Sequence, residues 1–254
     1  VAVTRSIADP MLDFETNAGG MLNVLEAVRH HSPGCFLINA STNKVYGRMP
    51  ELELENQENR FTFRDLEGID EFQPLAFNSP YGCSKGAADQ YCQDYARVYG
   101  LRTVNLRQSC VYGVRQFGLE DQGWVAWFTM AYVLNRPLTI FGNGKQVRDL
   151  LYIDDLVACF AQCVKYRNDI SGQSINIGGG RDNSVSLLEL IQILADRTGN
   201  TPRIDWQEWR PCDQPIFVCD LNKASQLLQW KPAIDIKTGL NRMIGWVSEN
   251  AEHL

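Results

Sequence analysis

Residues 81–106 read YGCSKGAADQYCQDYARVYGLRTVNL, and the fold class turns on this stretch. From about Tyr81 to Tyr99, the residues Ala88, Tyr91, Cys92, Tyr95 and Val98 fall on one side of a helix that Gly100 closes. Leu101 to Leu106 then reads as a strand. The same order occurs upstream. Met21, Leu22, Val24, Leu25 and Val28 form a stripe at helical spacing, Pro33-Gly34 ends it, and Cys35-Phe36-Leu37-Ile38 follows as a short apolar run of the kind found in buried parallel strands. Helix, strand, helix, strand with short connections implies βαβ units, an α/β fold with a parallel sheet flanked by helices.

Past Tyr112 the texture changes. A helix is expected over Trp124–Leu134 and a strand over Leu138-Thr139-Ile140-Phe141, ended by Gly142-Asn143-Gly144. Asp154-Asp155 can cap a helix running through Cys163, and Ser186 is an N-cap for a helix carrying Leu187, Leu190, Ile191 and Leu194. Trp206–Trp209 and Pro211 read as loop, and a last helix spans roughly Lys237–Glu249. Residues 48–79 form a long polar excursion, which in a compact domain is usually functional or mobile. The expected organisation is 1–112 as a sheet-forming part and 113–254 as mainly a mixed lobe interleaved with it.

Composition excludes whole classes. The 254 residues are 44% hydrophobic and 21% charged, which argues against disorder. With 24 Lys and Arg against 30 Asp and Glu, the net charge of −6 lacks a nucleic-acid binder's footprint. No apolar stretch has membrane-spanning length. The eight cysteines contain no C-x-x-C and match neither a zinc ribbon nor a disulfide scaffold, so no metal site and free thiols in a reducing cytoplasm are expected. Cys159 and Cys163 read as packed thiols.

The sharpest chemical feature is Tyr81-Gly82-Cys83-Ser84-Lys85, a phenol and an ammonium at i and i+4 where a helix starts. That spacing puts both on one face, where a Lys would lower the phenol's pKa toward that of a general base. Upstream, Ala40-Ser41-Thr42-Asn43-Lys44-Val45-Tyr46-Gly47 places hydroxyls at the carboxyl end of a strand, where open α/β sheets bind ligands. A further strand ends at Arg107-Gln108-Ser109.

Together these residues resemble the extended short-chain dehydrogenase/reductase family, the NAD-dependent nucleotide-sugar epimerases and dehydratases, over nearly the whole chain. The resemblance implies a Rossmann-like fold with a smaller C-terminal substrate lobe, NAD as cofactor, and a catalytic triad of Thr42, Tyr81 and Lys85. It implies that Asn17 and Ser109, with Tyr81 and Lys85, lie at the cofactor. Gly142–Asp149 followed by Tyr152–Asp155 is similar to the segment around the family's diphosphate-binding Arg, which points to Arg148. Arg210-Pro211-Cys212-Asp213 is similar to a second substrate segment, giving Arg210 and Asp213. Gln116, Gln122, Gly123, Thr139, Ile140 and Phe141 match stretches that hold the rest of the nucleotide sugar. Guanidinium groups suit a diphosphate.

Dehydratases of the family follow their Thr with Asp-Glu, whereas this chain has Asn43-Lys44, so an epimerase is expected. The stretches 41–47, 79–91 and 115–125 most resemble family members that act on CDP-sugars, a resemblance that implies inversion at C2 by transient oxidation to a keto sugar. A nucleotide-sugar 4-epimerase and a non-catalytic nucleotide-sugar-binding fragment are the alternatives. Cys110 departs from the family, many of whose members have Asn there. The family's Gly-x-x-Gly-x-x-Gly turn, which holds the NAD pyrophosphate, does not occur in these residues. By comparison roughly the first eighty residues, the N-terminal strands and that turn, are absent. Val1–Pro10 resembles the stretch after the family's fourth strand. This chain alone is therefore expected to bind NAD poorly and to be inactive. The family also implies a homodimer or homotetramer, paired through helices at about 14–30 and 81–99, and a cytoplasmic location.

Overall fold

The computed structural model describes residues 3–254. Val1 and Ala2, which open the segment compared above with the stretch after the fourth strand, lie outside the described residues. Helices α1 (Val3–Ala8) and α2 (Pro10–Phe14) pass through a π-helical turn (Glu15–Gly19) into α3 (Gly20–His31). Strand β1 (Phe36–Thr42), a 3-10 turn (Asn43–Tyr46), the hairpin β2 (Leu54–Asn56) and β3 (Phe61–Phe63), and the long helix α4 (Pro80–Tyr99) follow. Next come β4 (Arg102–Gln108), β5 (Cys110–Tyr112), α5 (Trp124–Val133), β6 (Leu138–Phe141), β7 (Val147–Tyr152), α6 (Ile153–Lys165) and β8 (Gln173–Ile177). The chain continues through β9 (Ser184–Ser186), α7 (Leu187–Thr198), β10 (Ile204–Gln207), β11 (Ile216–Phe217), α8 (Asn222–Leu228) and α9 (Ile236–Glu249).

The main sheet is parallel, in the order β1-β4-β8, so β8 enters it from well beyond residue 112. β4 lies in the middle and is buried from Thr103 to Arg107. Its sequence nevertheless alternates. Val104 and Leu106 join an apolar cluster with Cys159, Cys163, Ile175 and Leu228. Thr103, Asn105 and Arg107 face α4, where the Cys92 carbonyl, the Asp89 carbonyl and the Asp89 carboxylate receive them. The strand is thus covered on both faces, one of them through polar contacts.

The helical stripes are only half consumed by the core. Leu25, Cys92, Tyr95 and Leu101 pack with Met21, Leu22, Val28 and Leu37, whereas Val24, Tyr91 and Val98 stay exposed. Gly100 ends α4 in the left-handed conformation, as its position predicts. Ser186 and Glu189 close α7 with a reciprocal capping box.

Three local features differ from a simple reading of the sequence. Neither Asp154 nor Asp155 caps α6: the N-cap is Tyr152, and the Asp155 carboxylate turns away to accept from the N–H groups of Ala233 (3.1 Å) and Ile234 (2.9 Å). Of the expected loop Trp206–Trp209, Trp206 and Gln207 belong instead to the strand Ile204–Gln207, because parallel pairing with β6 satisfies its backbone. The excursion over 48–79 contains the hairpin β2–β3, and it is tied down. Phe61 N–H donates to the Lys145 carbonyl at 3.0 Å, Arg60 reaches Ser184 at 2.7 Å, and Ile69 bridges Cys219. All eight cysteines are free, with Cys159 and Cys163 buried.

Candidate active site

Parallel pairing of β1 with β4 along its whole length, from Phe36 opposite Arg102 to Thr42 opposite Gln108, fixes the strand end on which the site is built. Thr42 is itself the last residue of β1 and caps the 3-10 turn, its Oγ1 accepting from the Lys44 N–H at 3.2 Å. Gly47 ends that turn at φ 67°, and a Cβ there would overlap the Ala76 carbonyl, so glycine is required. The turn brings the chain back under α4. Ser79 caps α4 by accepting from the Gly82 N–H at 3.0 Å, with Pro80 as the first helical residue. Tyr81 and Lys85 therefore project from the first two turns of α4, beside the end of β1.

α4 is held on the sheet by a buried polar seam. Arg107 forms a bidentate pair with Asp89, at 2.8 and 3.1 Å, with side chains 4% and 0% exposed. Ser41 Oγ donates to the same carboxylate at 2.7 Å, and Arg107 also donates to the Tyr46 hydroxyl at 3.0 Å. Tyr46 passes the chain on to Asn176 at 2.8 Å. Arg107, expected at the strand end with Ser109, is thus a positioning residue under α4. Sequence reading misses Asp89 because it gives no sign of which acid an Arg will meet.

Tyr81, Lys85 and Thr42 come together as expected, but their electrostatics differ from expectation. The Lys85 ammonium donates to the Ala40 carbonyl at 2.6 Å. Burial pushes the Tyr81 phenol above its ordinary value, the Thr42 hydroxyl pulls it down, and Asp13 pushes it up. Lys85 is not among the groups acting on the phenol. The strand carbonyl supplies an acceptor for this partly buried ammonium. Burial also lowers the pKa of Lys85.

The other half of the site is a cavity of about 210 Å³ between the sheet end and the C-terminal segment. Of the expected substrate residues, Gly123, Thr139, Phe141, Arg148, Arg210 and Asp213 line it. Arg148 pairs with Asp213 at 2.8 Å, and the Arg210 guanidinium lies 3.9 Å from the centre of the Phe141 ring. Gln116, Gln122 and Ile140 are not in the lining. Ile140 is fully buried in the apolar cluster, since alternate residues of β6 point to opposite faces. Gln122 is exposed and pairs through its backbone with Leu119, while Gln116 donates to the Val111 carbonyl at 3.3 Å. Lys44, Cys110 and Trp124 line the cavity as well, and Trp124 Nε1 donates to Cys110 Sγ at 3.4 Å.

Burial, reinforced by Arg148 and opposed by Asp213, lowers the Lys44 ammonium to about 8. Burial pushes the Asp213 carboxyl up, but Arg148 and Lys44 outweigh it and hold it below its usual range.

The residues expected at the cofactor are less accessible. Asn17 sits in the π-helical turn, where its amide donates to Asp13 and to Ser84, both at 3.0 Å. Ser109 donates to Asp149, a buried carboxylate that burial pushes up. Tyr81 and Lys85 are partly exposed over the carboxyl end of β1 and fit the nicotinamide-ribose end of a dinucleotide. A pyrophosphate cradle of the Gly-x-x-Gly-x-x-Gly kind is not formed by the described residues.

Residues 1–178 match the NAD dependent epimerase/dehydratase family. The chain belongs to that family, a group of NAD-dependent α/β enzymes. It is 46% identical over 254 residues to CDP-paratose 2-epimerase of Salmonella typhi, an alignment covering 98% of this chain and 75% of that protein. Among solved structures it resembles UDP-glucose 4-epimerase of Thermotoga maritima with UDP-glucose (TM-score 0.83, 28% identity, covering 99% and 75% of the two chains). It also resembles DesIV, a dTDP-glucose 4,6-dehydratase of Streptomyces venezuelae with NAD and TYD bound (TM-score 0.84, 26% identity, 100% and 72%).

Proposed function

We propose that the chain carries the catalytic and substrate-binding residues of an NAD-dependent epimerase that inverts C2 of a CDP-sugar, the reaction of a CDP-paratose 2-epimerase. The observation that carries this reading is the 46% identity to that enzyme across the whole chain, with Thr42, Tyr81 and Lys85 clustered beside a cavity lined by three cations. NAD, when bound, supplies the hydride acceptor and donor. Tyr81 takes the proton from the sugar hydroxyl and later returns it, and Thr42 hydrogen-bonds the same oxygen. Lys85 holds the nicotinamide ribose. Neither Asn43 nor Lys44 supplies the carboxyl groups that elimination of water would need.

The test is product analysis by NMR with the protein as isolated from its source, incubated with CDP-paratose and NAD, because these 254 residues alone are expected to bind NAD poorly. Inversion at C2 is expected. Inversion at C4 of another nucleotide sugar would replace this reading with a 4-epimerase, and binding without turnover would replace it with a binding fragment. Tyr81→Phe should lower turnover on the order of a hundred- to ten-thousand-fold while substrate still binds. The same reading includes a homodimer. Exposed Met11, Phe14, Val24, Tyr91 and Val98 on α2, α3 and α4 offer apolar surface for it, and Val24→Glu should reduce the mass measured by light scattering.

A further inference from the structure

Three cations line the cavity beside the triad, Lys44, Arg148 and Arg210, and they differ in what they have left to offer. Arg148 is only 8% exposed, and its guanidinium donates to the Val147 carbonyl (2.7 Å), to Asp213 (2.8 Å) and to the Gln214 carbonyl (2.7 Å). Arg210 is pinned at the far end by Asp121 (3.0 Å), the Glu120 carbonyl (3.0 Å) and the Glu120 carboxylate (3.8 Å). Lys44 is different. Its side chain is 21% exposed, and among the described residues its ammonium makes no hydrogen bond. Asp213 Oδ1 stands 3.7 Å away, an ion pair without a hydrogen bond. An ammonium carries three donors, so Lys44 brings a charge with none of its donors used into a cavity whose two arginines each already donate to protein oxygens.

We propose that Lys44 is a substrate-contacting residue, its ammonium donating to an anionic oxygen of the nucleotide sugar's diphosphate while Asp213 stays with Arg148. The inference rests on the nucleotide-sugar reading above and adds to it the group that anchors the diphosphate. Lys44 is only two residues beyond Thr42, so a diphosphate held there brings the ring carbons nearest the anomeric position to the proton-transfer groups. That placement favours reaction at C2, the carbon next to the one bearing the diphosphate, over reaction at C4.

The charged and titratable groups lining the cavity with Lys44 are Arg148 from β7, Cys110 from β5, Cys212 and Asp213, with Arg210, Glu120 and Asp121 across the cavity. Asp213 is held below its usual range and burial pushes the Cys110 thiol up, whereas Lys44, lowered to about 8, changes charge between pH 7 and 9. Affinity for a diphosphate therefore falls as pH rises through about 8.

Calorimetric titration with CDP and with cytidine, on the wild type, Lys44→Met and Lys44→Arg, tests this. Lys44→Met should weaken CDP binding about tenfold or more and leave cytidine binding within about twofold. Lys44→Arg should keep CDP binding and lose its decline between pH 7 and 9, an arm that does not depend on the Met variant folding. Equal CDP affinity in the wild type and Lys44→Met overturns the inference and leaves the nucleotide-sugar reading intact. Equal losses for CDP and cytidine overturn it too. A wild-type protein that binds neither CDP nor UDP overturns the nucleotide-sugar reading itself, and this inference with it.

Discussion

Tyr81 stands between opposing influences, and its protonation sets the working pH of any proton transfer it performs. Burial raises its pKa, and the Thr42 hydroxyl lowers it by favouring the phenolate. A base must be deprotonated to act, so the rate should climb with pH until the phenol ionises. Removing the Thr42 hydroxyl should move that climb to higher pH. The expected outcome for Thr42→Val is a lower rate and an alkaline shift of the pH–rate profile; a midpoint unchanged from the wild type would mean that Thr42 acts on substrate alone. The pairing of Tyr81 with Lys85 is legible in the sequence because i and i+4 share a helix face. The direction of the phenol's shift is not, because burial and the Ala40 carbonyl that engages Lys85 belong to the folded chain.

At the scale of elements, α4 depends on the seam that fastens it to β1 and β4. Asp89 receives Arg107 and Ser41 in a buried setting, and breaking such a pair leaves a buried charge without a partner. Asp89→Asn should cost about 3–5 kcal/mol, measured by urea unfolding, whereas the joint change Asp89→Leu with Arg107→Met should recover much of the loss. Strands β1, β4 and β6 and helices α4, α7 and α9 are legible because each carries its own periodicity, cap or closing glycine. The hairpin β2–β3 and strand β10 are not. They are runs of three or four polar or weakly alternating residues whose backbone bonds come from another strand, Phe63 opposite Leu54 and, far away in sequence, Trp206 opposite Ile140. Asp155 teaches the same lesson: a carboxylate in a helix's first turn reads as a cap, and here it joins residues nearly eighty positions away.

For the molecule as a whole, the first sheet and the C-terminal segment meet at the site, and residues far apart in sequence complete it. Lys44 and Asp213 stand side by side in the cavity lining, 3.7 Å apart, and Gln214 donates to the Gly47 carbonyl just after the 3-10 turn. Substitution of Asp155 should therefore be felt beyond α6. Asp155→Asn replaces one charged acceptor of two backbone N–H groups and should cost about 1–3 kcal/mol, with earlier proteolytic cleavage near residues 229–236 as the readout. Within the main sheet, β1 pairs with β4 on one side, and its other side has no strand among the described residues. Its seven residues, Phe36 to Thr42, contain no proline and no charge, the two devices that most often keep an outer strand from recruiting another chain. Amide exchange along β1 should accordingly alternate, fast where the N–H points outward and slow where it meets β4. A solution of these 254 residues should grow turbid with concentration, because each copy offers its neighbours an uncharged template for strand addition.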